Sequence, residues 1–88
     1  MIRDVAEEEI PEGFFNVLAR RLRYVRPGQR IDPESSLRDL GLDSMRSVEL
    51  LLDIEEAFDV TLPDELLVEQ TFATARSLWL AVAPLRRA

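Results

Sequence analysis

The chain contains no cysteine and no histidine, and a count along it finds no lysine, so all 11 basic residues are arginine. Without cysteine no disulfide forms, and without cysteine and histidine there is no zinc finger or cluster site. Ser-His-Asp hydrolysis and cysteine-protease chemistry are excluded on the same ground. The lack of lysine removes Schiff-base nucleophiles. Long hydrophobic runs are missing too. The longest, Leu78 to Ala83, falls far short of the roughly 18 residues that a membrane span requires. The opening Met1-Ile2-Arg3-Asp4, followed by Glu7-Glu8-Glu9, is the opposite of a secretory signal with its basic start and apolar middle. A cytoplasmic location is therefore expected. A chain without the usual catalytic residues is expected to carry or bind something rather than transform it.

What is present fits one domain. Eighty-eight residues, 47% apolar and 32% charged, suit a globular chain near the size at which a single core can hold a fold. The net charge of −6 hides a pattern. Residues 1–19 carry −4, residues 20–38 carry +4, residues 39–69 carry −9 and residues 70–88 carry +3. The acidic middle argues against a nucleic-acid partner, because phosphate contacts need clustered basic groups. The six arginines of residues 20–38 read as a solvated helix face and a loop.

The periodicity predicts an all-α fold, a four-helix bundle with a short third helix and a long loop between helices 1 and 2. Residues 1–10 are read as a flexible lead-in and residues 11–88 as the single domain. Phe14, Leu18, Leu22 and Val25 recur at steps of four, four and three, which predicts an amphipathic helix from Pro11 to about Val25, stopped by Pro27-Gly28. The connection over 26–43 is long for so small a domain. Within it, Ser36-Leu37-Arg38-Asp39 has capping-box spacing and predicts one helical turn. A second helix is predicted from Asp43-Ser44 to about Phe58, with Met45, Val48, Leu51, Leu52, Ile54 and Phe58 on its buried stripe. Pro63 is placed at the first position of a short third helix, with Asp64 and Glu65 in its first turn. Thr74 is read as the N-cap of a last helix ending at about Ala83, before Pro84. Leu78, Val82 and one side of Trp79 are expected to face inward, and Trp79 is given no chemical role.

The informative stretch is Asp39-Leu40-Gly41-Leu42-Asp43-Ser44-Met45. A serine just inside a helix N-terminus points its hydroxyl outward over the first turn. The free N–H groups and the positive dipole end there favour an attached phosphate. With no general base nearby, Ser44 is a poor nucleophile by itself and reads as an acceptor of modification by another enzyme. Position alone favours a plain capping role.

Leu40-Gly41-Leu42-Asp43-Ser44-Met45, with Val48-Glu49-Leu50, Glu55-Glu56-x-Phe58 and Leu62-Pro63-Asp64-Glu65 at their spacing, resembles an acyl carrier protein. The resemblance implies that Ser44 receives 4′-phosphopantetheine from coenzyme A through a separate phosphopantetheinyl transferase, with Gly41, Leu42, Asp43 and Met45 as motif flanks. It implies a thiol on the arm's end that holds an acyl or aminoacyl group as a thioester. The implied partners are that transferase, an acyl- or aminoacyl-loading enzyme, and downstream synthase, condensation or transferase enzymes of fatty acid, polyketide or nonribosomal-peptide type. Aspartate-serine-methionine with Leu50-Leu51-Leu52 also resembles D-alanyl and freestanding aminoacyl carriers. The usual peptidyl-carrier signature, with glycines and His or Asp before the serine, is absent. A composition rich in arginine and free of lysine suggests a GC-rich bacterial source.

Glu49, Asp53 and Glu56 fall at steps of four and three, on one face of the second helix. Like charges so spaced destabilise an isolated helix by roughly 0.2–0.5 kcal/mol per pair. Glu55 and Glu56 also stand near the helix C-terminus, where the dipole disfavours acids. Beside the serine motif, Asp43, Arg46, Glu49, Asp53, Glu55 and Glu56 are read as a docking face for basic patches on partner enzymes, with fast, salt-sensitive contacts. Arg46 stands where the resemblance implies an acid, and it is expected to pair with Glu49 or to select another partner surface. Leu51, Leu52, Ile54, Leu66, Leu67 and Val68 are candidates for a groove taking an acyl chain, or for plain core. A calcium loop from Asp32 is rejected, since Leu37 stands where glycine is needed and Asp43 where glutamate is needed. No metal site is expected, and a monomer suffices for a shuttle. The rival reading is a helical adaptor that binds proteins through its acidic face and leaves Ser44 unmodified.

Overall fold

The computed structural model describes residues 10–26 and 28–86. The predicted lead-in lies, up to residue 9, outside the described residues. Three α-helices are present among the described residues: α1 (Glu12–Arg21), α2 (Ser44–Phe58) and α3 (Ala75–Val82). Short 3-10 turns follow at Asp64–Leu66 and Ala83–Leu85. Among the described residues there is no strand, only an isolated antiparallel bridge between Ser36 and Thr74.

Each helix has a local reason for its start and stop. In α1, Glu12 in the first turn and Arg20 and Arg21 in the last both complement the helix dipole. Its buried side is Phe14, Val17 and Leu18, the i, i+3, i+4 spacing of one face. The helix ends at Arg21 rather than at the expected Val25, because the chain is then taken up by the long loop. Leu22 is extended, and the N–H of Tyr24 donates to the carbonyl of Leu40 at 3.0 Å. Leu22 and Val25 keep their places in the core from this non-helical stretch. Asp43 caps α2 by accepting the N–H of Arg46 at 2.8 Å, and Asp59 ends it in the left-handed region at φ 56. Thr74 caps α3 in a reciprocal capping box with Ser77.

The expected short third helix is present only as a 3-10 turn, not as an α-helix. Pro63 is the N-cap of a three-residue 3-10 turn, and the chain to Ala73 continues in further turns: Thr71, Phe72 and Ala73 donate to the carbonyls three residues back. None of Asp64–Leu66 is buried, so this segment has no apolar face whose packing would offset helix nucleation. Among the described residues the four-helix expectation thus meets three α-helices, one 3-10 turn after Pro63 and a crossover built of further turns. The predicted turn at 36–39 does form, with the Ser36 hydroxyl accepting the N–H of Asp39 and the Leu40 N–H donating to the Ser36 carbonyl.

The core is filled by Phe14, Leu18, Leu37, Leu50, Ile54, Leu78 and Val82, all fully buried. Three aromatic rings meet at its centre. Phe14 lies 5.1 Å from Trp79 and 5.8 Å from Phe58, and Phe58 lies 6.0 Å from Trp79, all at tilted or edge-on angles that suit ring quadrupoles. Arg86 stacks over the outer face of Trp79 at 5.0 Å. The buried side of α2 differs from the predicted stripe. Leu50 and Ile54 are its core residues, Leu51 and Phe58 are half-buried, and Met45, Val48 and Leu52 are exposed. The long loop is part of the core, contributing Ile31, Leu37 and Leu42, and it is stitched to the start of α3. The Leu37 N–H donates to Ala73 at 2.8 Å and the Arg76 N–H donates to Pro33 at 3.0 Å.

Candidate functional site

Ser44 is set by the turn before it. Gly41 has φ 110 and sits against the end of α1. A Cβ added there would lie 2.5 Å from the Arg23 backbone nitrogen and 2.7 Å from the Arg23 Cβ. Only glycine permits both that conformation and that approach. Leu42 then anchors in the core, Asp43 caps, and Ser44 opens α2 as an exposed residue. Because Asp43 takes the N–H of Arg46 and the Asp43 carbonyl takes that of Ser47, the N–H groups of Ser44 and Met45 have no partner among the described residues. The Ser44 hydroxyl likewise has no partner among the described residues.

Two clefts meet at this serine. The larger, about 510 Å³, is bounded by the long loop and the segment before α3, with Ser36, Arg38, Asp43, Gln70, Ala73 and Thr74 on its walls. An exposed ion pair, Arg38 Nη2 to Glu69 Oε2 at 3.3 Å, links those two walls, and Glu34 pairs with Arg76 beside it. The smaller cleft, about 310 Å³, lies on the other side of the serine and is mainly apolar, lined by Val48, Leu51, Leu67, Val68 and Phe72. Ser44, Ser47, Glu69 and Phe72 border both.

The structure brings Leu51, Leu67 and Val68 together in the apolar cleft. It places Ile54 in the core and Leu52 in solvent, and Leu66 is half-buried without lining either cleft. Val48 and Phe72 complete the lining in their stead. Ser47, whose hydroxyl donates to the Asp43 carbonyl at 2.8 Å, also lines both clefts. The sequence signal for Ser47 and Val48 was their spacing of three and four from Ser44, which puts them on the serine's own face.

The acidic face is partly neutralised from a distance. Arg21, at the end of α1, donates to both Asp53 oxygens at 2.6 and 3.3 Å and to Glu49 at 3.3 Å. The hydrogen bond from Arg21 is the main reason why the Asp53 carboxyl is held below the usual aspartate range, against the opposing effect of burial. The same bond raises Arg21. Arg46 faces Asp43 at 3.8 Å and not Glu49, because Glu49 is engaged by Arg21. Glu55 turns back to accept the Leu62 N–H at 2.9 Å, a bond that fixes the exit from α2. Of the predicted docking acids, Glu56 is exposed with no ion-pair partner among the described residues, and Asp43 is capping. Among the described residues no cluster of three acids could hold a metal, and no helix is long and apolar enough to cross a membrane.

Fold and site thus define a small helical domain that presents one unpartnered serine at a helix start, between a polar and an apolar cleft. The family model described as "Phosphopantetheine attachment site" matches residues 13–79. An aminoacyl carrier protein of Agrobacterium fabrum (strain C58) is 40% identical over 62 residues, covering 70% of this chain and 75% of its own. An acyl carrier protein of Chlorobium phaeobacteroides is 36% identical over 62 residues, covering 69% and 77%. Among solved structures, the carrier protein of Agrobacterium tumefaciens, complexed with an engineered Bradyrhizobium japonicum glycine:[carrier protein] ligase and AMP, superposes with a TM-score of 0.70. It is 36% identical and covers 81% of this chain and 96% of its own. The chain belongs to the phosphopantetheine-binding family of acyl and aminoacyl carrier proteins. Its cofactor is a covalently attached 4′-phosphopantetheine.

Proposed function

We propose that Ser44 carries the 4′-phosphopantetheine and that the chain ferries an aminoacyl group between enzymes while catalysing nothing itself. The observation that carries this reading is the exposed, unpartnered Ser44 hydroxyl at the start of α2, open to both clefts. The residues present fit the group. The free N–H groups of Ser44 and Met45 suit a phosphodiester, and nothing on α2 covers the hydroxyl. When bound, the arm supplies the thiol that the chain lacks, and so a thioester link to cargo. The chain's own residues do the rest: Gly41, Leu42 and Asp43 hold the serine in place at the start of α2.

An aminoacyl cargo, loaded by an adenylating ligase, is favoured over a long acyl chain for two reasons. The aminoacyl carrier of A. fabrum and the ligase-bound carrier of A. tumefaciens are both similar to this chain. The apolar cleft is also small, about 310 Å³, with Leu52 and Ile54 outside its lining. The docking face reads as mixed, with exposed Met45, Val48 and Leu52 beside Glu56, in place of the purely acidic one. A cytoplasmic monomer without nucleic-acid partners suits this role.

Incubation with a phosphopantetheinyl transferase, magnesium and coenzyme A, followed by intact mass, tests the attachment. One arm per chain is expected on the wild type and none on Ser44→Ala. No gain on the wild type favours the adaptor reading. Offering the modified protein and ATP to glycine:[carrier protein] ligase with different amino acids, and to malonyl and acyl transferases, then decides the cargo. Loading by the acyl enzymes alone refutes the aminoacyl reading.

A further inference from the structure

The polar cleft is the larger of the two, it begins at Ser44, and nothing in the reading above uses it. We propose that it is the resting groove of the arm itself, taking the uncharged amide-bearing chain of pantetheine, while the apolar cleft is left out of that contact; this rests on the attachment at Ser44. The lining has the chemistry such a chain requires. Leu42, Phe72 and Ala73 offer apolar surface, and Gln70 offers a side-chain amide that can both donate and accept. The Gln70 amide has no partner among the described residues. The hydroxyls of Ser36 and Thr74 accept the N–H groups of Asp39 and Ser77 and keep their own protons to donate, while that of Ser47 donates to the Asp43 carbonyl. The carboxylates and guanidinium of the cleft are paired with each other or capping, as Glu34–Arg76, Arg38–Glu69 and Asp43 toward Arg46. That leaves the cleft without a strong claim on a charged guest and suited to a neutral one. The apolar cleft has few polar groups to meet two buried amides, and an amide left unpaired in such a place is penalised.

Tethering makes a weak groove sufficient. A chain fixed at Ser44 experiences an effective concentration on the order of millimolar. Contacts too weak to bind free pantetheine therefore hold the tethered arm, and they release it when a partner enzyme offers a deeper pocket. The carrier would be loaded and unloaded from this open, solvent-facing side, against the long loop and the start of α3.

Nuclear magnetic resonance on the holo protein tests this. The chain has only three side-chain amides, Asn16, Gln29 and Gln70, so the Gln70 signal is readily assigned. Conversion from apo to holo is expected to shift the Gln70 side-chain amide and the backbone amides of residues 36–38 and 70–74. The arm's geminal methyl protons are expected to show nuclear Overhauser contacts to the Phe72 ring and the Ala73 methyl. Ala73→Leu, which narrows the groove at an exposed position, and Gln70→Ala, which removes the amide partner, should each weaken those contacts while leaving the mass gain intact. Contacts to Val48, Leu51 and Leu67 instead, or shifts confined to Ser44 and its immediate neighbours, overturn the proposal. Failure of the wild type to gain mass is a different result, and it refutes the attachment.

Discussion

The three glycines of this chain give a graded test of how the serine is held, because their surroundings differ. At Gly41 alanine would have to adopt φ 110 and place its Cβ 2.5 Å from the Arg23 nitrogen. A left-handed conformation of that kind costs on the order of 1–3 kcal/mol in a residue with a side chain. Forcing an atom into closed packing adds about 1–3 kcal/mol, and here the obstacle is backbone, which cannot swing aside. The sum, roughly 2–6 kcal/mol, is a large part of the 5–15 kcal/mol that a small domain commands. Gly28 also has positive φ, 83, but nothing lies within 4 Å of its Cβ position, so alanine there should cost only the conformational part, on the order of 1–3 kcal/mol. Gly13 lies inside α1 with open space around it, and alanine there should stabilise by roughly 0.5–1 kcal/mol. Urea unfolding followed by the fluorescence of Trp79, the single tryptophan, measures all three. The expected order of stability is Gly13→Ala, wild type, Gly28→Ala, Gly41→Ala. For a domain of this size each kcal/mol moves Tm by about 4–8 °C, so the last should melt at least ~8 °C lower. If Gly41→Ala matches Gly28→Ala, the close contact with Arg23 does not hold the turn, and the account of how Ser44 is placed is wrong.

Further tests concern particular contacts. Glu55→Ala should cost about 1–3 kcal/mol, since it strips a part-buried Leu62 N–H of its acceptor, and Glu55→Gln should recover most of this; equal losses for the two would show that the bond is not the cause. Arg21→Gln should let the Asp53 carboxyl titrate nearer its ordinary value of 3.8. Because the folded carboxyl is depressed, its contribution to stability is present above the unfolded pKa and fades as pH falls through the folded one. The variant should therefore lose less stability on acidification than the wild type, and a carbon-13 titration of Asp53 that does not move refutes the pairing. Phe14→Leu should cost roughly 1–3 kcal/mol, by removing ring contacts with Phe58 and Trp79, and should alter the Trp79 emission of the folded state.

Strong local signals were legible in the sequence, and interactions between distant residues were not. The start of α2 at Asp43-Ser44, Thr74 as a cap and the stop after Phe58 all rest on a few adjacent residues, and they stand as expected. The buried side of α2 was misread because Leu50-Leu51-Leu52-x-Ile54 satisfies more than one helical stripe. Which leucine turns inward depends on where α1 lies, and no periodicity reports that. The end of α1 was misplaced for a related reason. Leu22 and Val25 continue the pattern and are buried, but the N–H of Tyr24 goes to Leu40, a partner 16 positions away in the chain. Arg21 had no local mark of its role, since its acids stand 28 and 32 residues downstream. The serine itself stood out in sequence, whereas its two clefts come from segments brought together only by folding.

The stitching of the long loop to α3 has a kinetic consequence. Leu37 to Ala73, Arg76 to Pro33 and the Ser36–Thr74 bridge make the loop and the last helix one opening unit rather than two. Native-state hydrogen exchange should therefore find the amides of Leu37 and Arg76 released together with those of α3, at a free energy above that of ordinary surface loops. Shortening the chain from its C-terminal side would then loosen a wall beside Ser44 some 30 to 40 residues upstream. The end of the chain acts as a fastening for a region it does not touch in sequence.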